Sequence, residues 1–363
     1  MKAVNLIISV LLLSLQSLAC DDVLKPFSRD CAIQDRYNQI KNQLASHKTN
    51  IDEVAEYRVM RFIDRATWEW AKKNQVHPKQ AYNPAPDTWE VWDSGIRSIF
   101  ATENLKGALT RETMLSEDLL SRINLVLLKN DQYNVKDAIS DQSKKPGEFR
   151  VDRDSGVGFC WNTLSDNVML IKASEKSMRD FQIEWENKAH KKMSDLVKTS
   201  IFESVFGEPN MLSGIRVSDR RCGDGVNYIR IEYSPSNEVK KRVAWVLSFI
   251  KENLKMYDQG LAVLSPIELA SVAQKWLVSI HPFADGNGRT SRAVEDLILA
   301  HFGLPYAPAG DLQNDALSQI GDYTNLTYSK IEDMLNSLEH CSKKIEKEWA
   351  LEPRPFECRV LRN

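Results

Sequence analysis

The sequence lacks an excess of charge of either sign. Its 48 lysine and arginine residues nearly balance 50 aspartate and glutamate residues, which leaves a formal net charge of −2 over 363 residues. A nearly neutral chain offers no global electrostatic case for binding nucleic acid. The six cysteines form no Cys-x-x-Cys pair and no cysteine–histidine cluster, so the sequence carries no sign of a zinc site.

Long apolar runs are missing everywhere except near the N-terminus. Residues 6–15 are almost purely apolar, follow Lys2, and precede Ser17-Leu18-Ala19, which has small residues at the −3 and −1 positions of a cut before Cys20. This layout is typical of a signal peptide and is too short for a membrane-spanning helix. We therefore expect residues 1–19 to be removed and the protein to be exported, as a secreted or periplasmic protein without a transmembrane segment.

Cys20 would be the first residue of the mature chain, which raises the alternative of a lipoprotein. A bacterial lipobox usually has leucine at −3, where this sequence has Ser17. Plain cleavage is therefore favoured over a lipid anchor at Cys20. The six cysteines of an exported chain enter an oxidising compartment, but the sequence selects no disulfide pairing among them.

Apolar residues at three- and four-residue spacing predict a mainly helical chain. The predicted helices cover residues 29–75, 89–100, 116–128, 174–205, 234–254, 265–280 and 289–302, with two or three more in 312–350. Residues 130–175 are polar and are predicted to be loop with short strands. Alternation of β-branched and aromatic residues around a turn predicts a hairpin from 215–217 and 228–233.

One short stretch, from His281 to Arg292, concentrates groups that suit a polyphosphate. Gly286, Asn287 and Gly288 can place successive backbone N–H groups around an anion, because glycine and asparagine tolerate left-handed geometry. The following helix begins nearby and directs its N-terminal donors to the same place. Arg289 and Arg292 lie three residues apart, hence on one helix face, where paired hydrogen bonds can hold phosphate oxygens.

Two further side chains in this stretch have chemistry to offer. Asp285 can hold a hard cation such as Mg²⁺, which usually also takes phosphate oxygens as ligands. His281 is the group that can accept a proton near neutral pH. Taken singly, each element has an ordinary structural explanation: a histidine at a helix end, a Gly-Asn-Gly turn, two solvated arginines. Their occurrence together in one stretch favours the functional interpretation.

This stretch resembles the Fic family, because it fits the motif HPFx(D/E)GNGRxxR at every specified position. Residues 265–280 and 293–305 resemble the helices that enter and leave the motif, and 229–239 resembles the second strand of the family's β-hairpin flap with the helix after it. The resemblance implies a Fic-type helical bundle with a β-hairpin flap beside the active-site loop. The expected division is a signal peptide (1–19), an N-terminal helical region (20–110), a catalytic domain (111–340) and a tail (341–363).

The resemblance implies a protein adenylyltransferase, which moves AMP from Mg·ATP to a Ser, Thr or Tyr hydroxyl of a target protein. His281 would deprotonate that hydroxyl, and Phe283 would anchor the loop in the core. Mg²⁺ would bind at Asp285. The implied nucleotide-binding residues are Gly286, Asn287 (on the α-phosphate), Gly288, Arg289 and Arg292.

The target protein would dock by strand addition at the flap, where the implied contact residues are Tyr228, Ile229, Arg230 and Ile231. Fic proteins usually show Gly-x-(Tyr/Phe)-Arg at the start of the flap region. Here 147–150 and 214–216 both fit in part. We expect the compact hairpin over 214–233.

Many Fic proteins hold a glutamate, within (S/T)xxxE(G/N), against the second motif arginine, here Arg292. Glu103 is followed by an asparagine, but its serine lies five rather than four residues upstream. Glu346 has the right spacing but is followed by lysine. Glu103 is the favoured inhibitory residue, and the alternative is that both glutamates are solvated helix charges.

Three rival functions stay open at this point. The same fold could move UMP or phosphocholine instead of AMP, since the motif does not fix nucleotide orientation. A non-catalytic binding module would have no need for His281. A DNA- or RNA-binding toxin is disfavoured by the net charge and by export.

Overall fold

The computed structural model describes residues 31–46, 70–71, 73–76, 115–128, 145–150, 156–160, 164–191, 216–221, 227–304 and 318–343. Its helices are α1 (Cys31–Ser46), α2 (Glu117–Leu128), α3 (Leu164–Ala189), α4 (Val239–Asp258), α5 (Pro266–Ile280), α6 (Asn287–His301) and α7 (Ile320–Lys343). Its strands are β1 (Gly156–Cys160), β2 (Arg216–Arg221) and β3 (Asn227–Glu232). The described part of the chain is therefore mainly helical, as expected. None of the described helices has the length and apolar content needed to cross a membrane.

Helix α5 is the centre of the fold, because all of its residues are buried. It packs against α4, α6 and α7. The helix begins where the sequence predicts, since Pro266 occupies the first turn and Ser265 is its N-cap. The Ser265 hydroxyl accepts from the Glu268 N–H (3.2 Å), and the Glu268 carboxylate accepts from the Ser265 N–H (2.6 Å). This capping box fixes the start of the helix that carries His281 at its other end.

A cluster of large aromatic side chains joins α3 and α4 to α5. The Trp276 ring lies 4.7 Å from Phe249 and 5.5 Å from Phe181, centroid to centroid, and the Trp185 ring lies 5.0 Å from Phe249. The Trp185 indole N–H donates to the Asn253 side-chain oxygen at 3.0 Å. Tilted and edge-on aromatic pairs of this kind add stability beyond the burial of their area. The cluster fixes the packing of α5 against α3 and α4.

The three strands form one antiparallel sheet in the order β1-β3-β2. In this sheet, Val157 of β1 and Val217 of β2 both lie opposite Ile231 of β3. β1 is a short strand of the kind expected within 130–175, but α3 already begins at Leu164, where loop was expected. Charged residues interrupt the hydrophobic spacing near the start of α3. The sequence pattern therefore missed about the first three turns of this helix.

Helix α1, which belongs to the expected N-terminal region, packs on α7 of the expected catalytic domain. Arg36 binds Glu332 through two hydrogen bonds of 2.8 Å each, and its guanidinium lies 5.1 Å from the Tyr328 ring centroid. Ile40 is part of the same core as α5. The division of the chain at residue 110 stays a prediction. The signal peptide (1–19), Cys20, Glu103 and Glu346 lie outside the described residues.

Glu268 makes the stability of this core depend on pH. Burial raises the pKa of Glu268 from 4.5 to about 6, against the opposing effect of its bonds to Ser265. The pKa of Glu268 is higher in the folded chain than in the unfolded chain. Protonated Glu268 therefore stabilises the native state fully below pH 4.5, and this stabilisation is lost as the pH rises through 6. A shift of this size corresponds to about 2 kcal/mol.

We therefore expect Glu268→Gln, which keeps a capping side chain but carries no charge, to raise the free energy of unfolding at pH 7.5. The expected gain is up to about 2 kcal/mol, and it should fall to about 0.4 kcal/mol at pH 4.5. Urea denaturation at the two pH values measures it. Asp258→Asn, which removes an exposed carboxylate at the end of α4, is the control. Equal gains at both pH values would show that charge is not the cause.

Candidate active site

His281 lies at the C-terminal end of α5 in an unusual backbone conformation. Its φ of 55° and ψ of 60° place it in the left-handed region, which residues with a Cβ rarely adopt. Its N–H donates to the Leu277 carbonyl at 3.1 Å, so the residue caps the helix. The left-handed cap ends the helix at this residue. Such conformations concentrate at functional sites.

The imidazole of His281 has a defined tautomer. Its Nδ1 lies 3.3 Å from the Val278 carbonyl oxygen. A carbonyl can only accept, so Nδ1 must carry the hydrogen and Nε2 must carry the lone pair in the neutral ring. Burial, aided by the positive charge of Arg150, lowers the pKa of His281 to about 3. The ring is therefore neutral at physiological pH, with a nitrogen able to accept a proton.

Arg150 ties the backbone around His281 together. Its guanidinium donates to the carbonyls of His281 (2.6 Å), Ile280 (3.1 Å) and Ser234. Its own N–H donates to the Pro282 carbonyl at 3.0 Å. The side chain is only 5% exposed. A buried cation on the last carbonyls of α5 satisfies groups that the helix leaves without partners and complements the negative end of its dipole.

Tyr233 contacts the candidate base, His281, directly. Its ring is stacked on the His281 ring, with centroids 3.8 Å apart and an interplanar angle of 6°. Tyr233 is buried and follows the last residue of β3. The sheet and the candidate base are therefore in contact through these two rings.

The loop after His281 is held by reciprocal hydrogen bonds. The Asn287 amide oxygen accepts from the Phe283 N–H, and its nitrogen donates to the Phe283 carbonyl, both at 2.8 Å. Phe283 is 1% exposed, and its ring lies 5.0 Å from the Phe149 ring. Phe283 is therefore an anchor in the core. The Asn287 amide holds the loop, and contact between Asn287 and a phosphate stays a prediction.

Asn124 of α2 fastens the same loop from the opposite side. Its amide nitrogen donates to the Asp285 carbonyl (2.9 Å) and lies 3.2 Å from the Thr290 hydroxyl oxygen. Its amide oxygen accepts from the Gly147 N–H at 2.9 Å. Asn124 is completely buried. One side chain thus joins α2, the motif loop and the segment that carries Arg150.

The N-terminus of α6 forms the candidate anion site. Gly286 is its N-cap, with a φ of 74°, and a Cβ there would lie 3.0 Å from the Asn124 nitrogen, so the position requires glycine. The first-turn N–H groups of Asn287, Gly288 and Arg289 have no helix carbonyl one turn earlier to bind. A Cβ on Gly288 would lie 3.4 Å from the Arg292 guanidinium, which therefore sits over this turn. Helix end and guanidinium both attract an anion.

Asp285 offers the site's candidate cation ligand. Its side chain is exposed, and one carboxylate oxygen accepts from the Gly286 N–H at 2.5 Å. In the parts of the chain that the structure describes, no three His, Cys, Asp or Glu side chains form a metal-binding cluster. A single accessible carboxylate beside an anion site fits Mg²⁺, which commonly takes one or two carboxylates and fills its other positions with phosphate oxygens and water.

The expected docking residues, Tyr228 to Ile231, form the middle of β3. β3 pairs with β1 on one edge and with β2 on the other. Because both edges are hydrogen-bonded within the sheet, a target strand must add to the outer edge of β1 or β2, or displace one of them. Strand addition directly to these four residues therefore requires that β3 lose a neighbour.

The two candidate starts of the flap both contribute to this sheet. The segment that includes 147–150 lies against the motif loop, with Phe149 bridged to Phe283, and β1 follows it. β2 begins at Arg216, two residues after the other candidate start. The expectation of a compact hairpin alone is therefore too narrow, and the assignment of this sheet as a flap stays a prediction.

Three residues of the site were not predicted from the sequence. Arg150 had a signal, because it ends the Gly-x-Phe-Arg match. Asn124 had a weaker one, since it is a polar residue on the apolar stripe of α2, between Ile123 and Leu127. Tyr233 had no sequence signal beyond its place at the end of a predicted strand.

Parts of the chain are similar to known proteins. Residues 224–299 match the Fic domain of the Fic/DOC family. The chain is 40% identical over 62 residues to the protein adenylyltransferase fic-1 of Caenorhabditis elegans, a match that covers 16% of this chain and 12% of the relative. It is 37% identical over 76 residues to a uridine 5′-monophosphate transferase of Xanthomonas campestris, covering 21% of this chain and 14% of the relative.

A crystal structure of a Fic-domain-containing signaling protein from Bacteroides thetaiotaomicron also aligns with the chain. The TM-score is 0.41 at 14% identity, and the alignment covers 84% of this chain and 94% of the other. The sequence matches to fic-1 and to the uridine 5′-monophosphate transferase span only 12% and 14% of the length of those relatives.

Proposed function

This chain contains a Fic-family domain, and we propose that it transfers AMP from Mg·ATP to a Ser, Thr or Tyr hydroxyl of a target protein. One observation carries the proposal. The Nδ1 of His281 contacts the Val278 carbonyl, which leaves Nε2 as the proton acceptor of the neutral ring. His281 lies five residues before Gly286, the N-cap of α6, and the Arg292 guanidinium sits over the first turn of that helix. A proton acceptor and a polyphosphate site on one short loop suit phosphoryl chemistry.

The proposed reaction is an in-line displacement at the α-phosphorus. The target hydroxyl oxygen attacks that phosphorus, its proton passes to Nε2 of His281, and the bond to the bridging oxygen breaks so that pyrophosphate leaves. Backbone N–H groups at the start of α6, with Arg289 and Arg292, hold the phosphates. Phosphate charge near the imidazole raises the pKa of His281 from its low value and makes it a stronger base.

Asp285 is the residue that would hold Mg²⁺. When bound, the ion supplies positive charge that offsets the charge of the phosphate groups. The protein's own part is to present one exposed carboxylate on a loop whose backbone is fixed by Asn124 and Asn287.

UMP transfer is the second candidate, since one similar protein is a uridine 5′-monophosphate transferase. The residues of the motif hold phosphates, not bases, so they do not choose between the two. Mass spectrometry of the intact protein, after incubation with Mg²⁺ and each nucleoside triphosphate in turn, tests both. A self-adduct of one adenylyl group supports AMP transfer, and an adduct with UTP alone supports the second candidate. No adduct on the protein or on added cell proteins with any nucleotide would contradict the proposed function.

Self-restraint by Glu103 is a further part of the proposal. A carboxylate paired with Arg292 would compete with the terminal phosphate for that guanidinium. We expect Glu103→Gly to raise self-modification about tenfold, equal to about 1.4 kcal/mol of barrier. Initial rates measured by intact mass test it, with Glu346→Gly as the control. Equal rates for wild type and Glu103→Gly would exclude the role, and an increase with Glu346→Gly alone would move it to Glu346.

Export completes the proposal, on the basis of the apolar run and Ser17-Leu18-Ala19. An exported ATP-dependent enzyme must meet its nucleotide in another cell or in a nucleotide-supplied compartment. N-terminal sequencing of exported protein tests the expected start at Cys20. Recovery of an intact N-terminus would contradict it, and an acylated Cys20 would indicate a lipoprotein.

A further inference from the structure

Among the residues that the structure describes, one hydrogen bond holds the His281 ring. The hydrogen bond between its Nδ1 and the Val278 carbonyl is long, at 3.3 Å. The left-handed backbone conformation of His281 persists only where the surrounding structure holds it. A base must stay aligned with the hydroxyl it deprotonates, and a misplacement of about 1 Å can cost on the order of 100-fold in rate. Another group must therefore restrain the ring.

Tyr233 is placed to do so. The two rings are 3.8 Å apart at the centroids and within 6° of parallel, so the tyrosine covers one face of the imidazole. Rotation of the histidine about its Cβ–Cγ bond would push the ring edge into the tyrosine. The stack therefore limits the imidazole to a narrow range of orientations.

The tyrosine is itself fixed by the buried cation of the site. The carbonyl of the next residue, Ser234, accepts from the Arg150 guanidinium, which also binds the carbonyls of Ile280 and His281. The Ser234 hydroxyl accepts from Arg242 at 2.9 Å. The backbones on either side of the stack are thus joined through one side chain.

From this geometry we propose that Tyr233 is a positioning residue, whose ring holds the imidazole of His281 in the orientation that presents Nε2 to the target hydroxyl. The inference rests on the proposed function for its consequence in catalysis. Because Tyr233 continues β3, it also connects the sheet where a target is expected to dock with the base that acts on that target.

Two substitutions separate the ring from the hydroxyl. Tyr233→Phe keeps the stack and should retain kcat within about twofold, whereas Tyr233→Leu should lower kcat by about 10- to 100-fold. The KM for ATP and the Kd for ATP should stay within about threefold of wild type in both variants, since neither change touches the phosphate site. Tyr37→Leu, which removes a half-buried ring on α1, is the matched control and should leave kcat unchanged.

Proton NMR of the histidine ring gives a second measurement that needs no activity. The stacked tyrosine should shift the His281 ring protons upfield in wild type and in Tyr233→Phe, and this shift should disappear in Tyr233→Leu. Wild-type kcat in Tyr233→Leu, or equal losses in the Phe and Leu variants, would overturn the proposal. If wild type transfers no nucleotide, the proposed function fails, but the NMR comparison still decides whether Tyr233 holds the ring.

Discussion

Replacing His281 with alanine is expected to abolish nucleotide transfer while leaving ATP binding nearly unchanged. The loss should be about 10²- to 10⁴-fold, because the substitution removes the proposed proton acceptor. Binding should persist, since the expected phosphate contacts come from the start of α6 and its arginines. Intact mass spectrometry measures transfer, and calorimetric titration with Mg·ATP measures binding.

His190→Asn is the matched control for this prediction. His190 is exposed, lies at the end of α3, and shares the left-handed backbone conformation, which asparagine tolerates. It should transfer nucleotide at the wild-type rate. If His281→Ala modifies itself as fast as wild type, His281 is not the base. If His281→Ala also loses ATP binding, the histidine shapes the loop, and the loss of transfer does not test its role as a base.

Asn124→Leu is expected to have the second largest effect, although Asn124 lies far from the motif in sequence. The substitution keeps the branched shape and the number of side-chain heavy atoms but leaves the Asp285 carbonyl, the Thr290 hydroxyl and the Gly147 N–H without their partner. Buried groups left unpaired should lower the free energy of unfolding by about 2–4 kcal/mol. Release of the motif loop should also lower kcat by about 100-fold.

Asn253→Leu separates the two consequences of losing a buried amide. Asn253 is likewise buried, and it bonds Trp185 and the Phe249 carbonyl within the aromatic cluster, away from the motif loop. We expect a similar loss of stability there without a comparable loss of kcat in the fraction that stays folded. Urea denaturation and rates at low temperature measure the two effects. Equal falls in kcat for both variants would show that Asn124 acts through general stability and not through the loop.

The helices nearest the site could be predicted well, because their boundaries are set by residues next to them in sequence. The Ser265–Glu268 capping box and Pro266 begin α5, and the structure ends it at Ile280, as expected. The left-handed position at Gly286 leads into α6, which begins two residues earlier than expected, at Asn287. Caps and hydrophobic spacing act within one or two helical turns, so they can be identified without knowledge of the fold.

The hairpin of β2 and β3 was predicted, but the addition of β1 to it and the start of α3 were harder to predict, for reasons that lie in the pairing of distant segments. β1 follows polar residues and has little side-chain pattern of its own, and its partner β3 is distant in sequence. A strand with weak alternation is specified mainly by the neighbour it pairs with. Helix α3 is rich in charge, and its buried positions are defined by the aromatic cluster around Trp276.

By itself, the sequence determined which residues are proposed to carry chemistry, since the stretch from His281 to Arg292 is contiguous and its predicted roles follow from residue type, local turn geometry and the resemblance to the Fic motif. Only the tertiary structure decided what surrounds them. Asn124, Arg150 and Tyr233 reach the motif from three other segments, at separations such as 161 residues for Asn124 and Asp285 and 131 for Arg150 and His281. Contacts over such distances depend on how helices and strands pack, and no pattern of neighbouring residues encodes them.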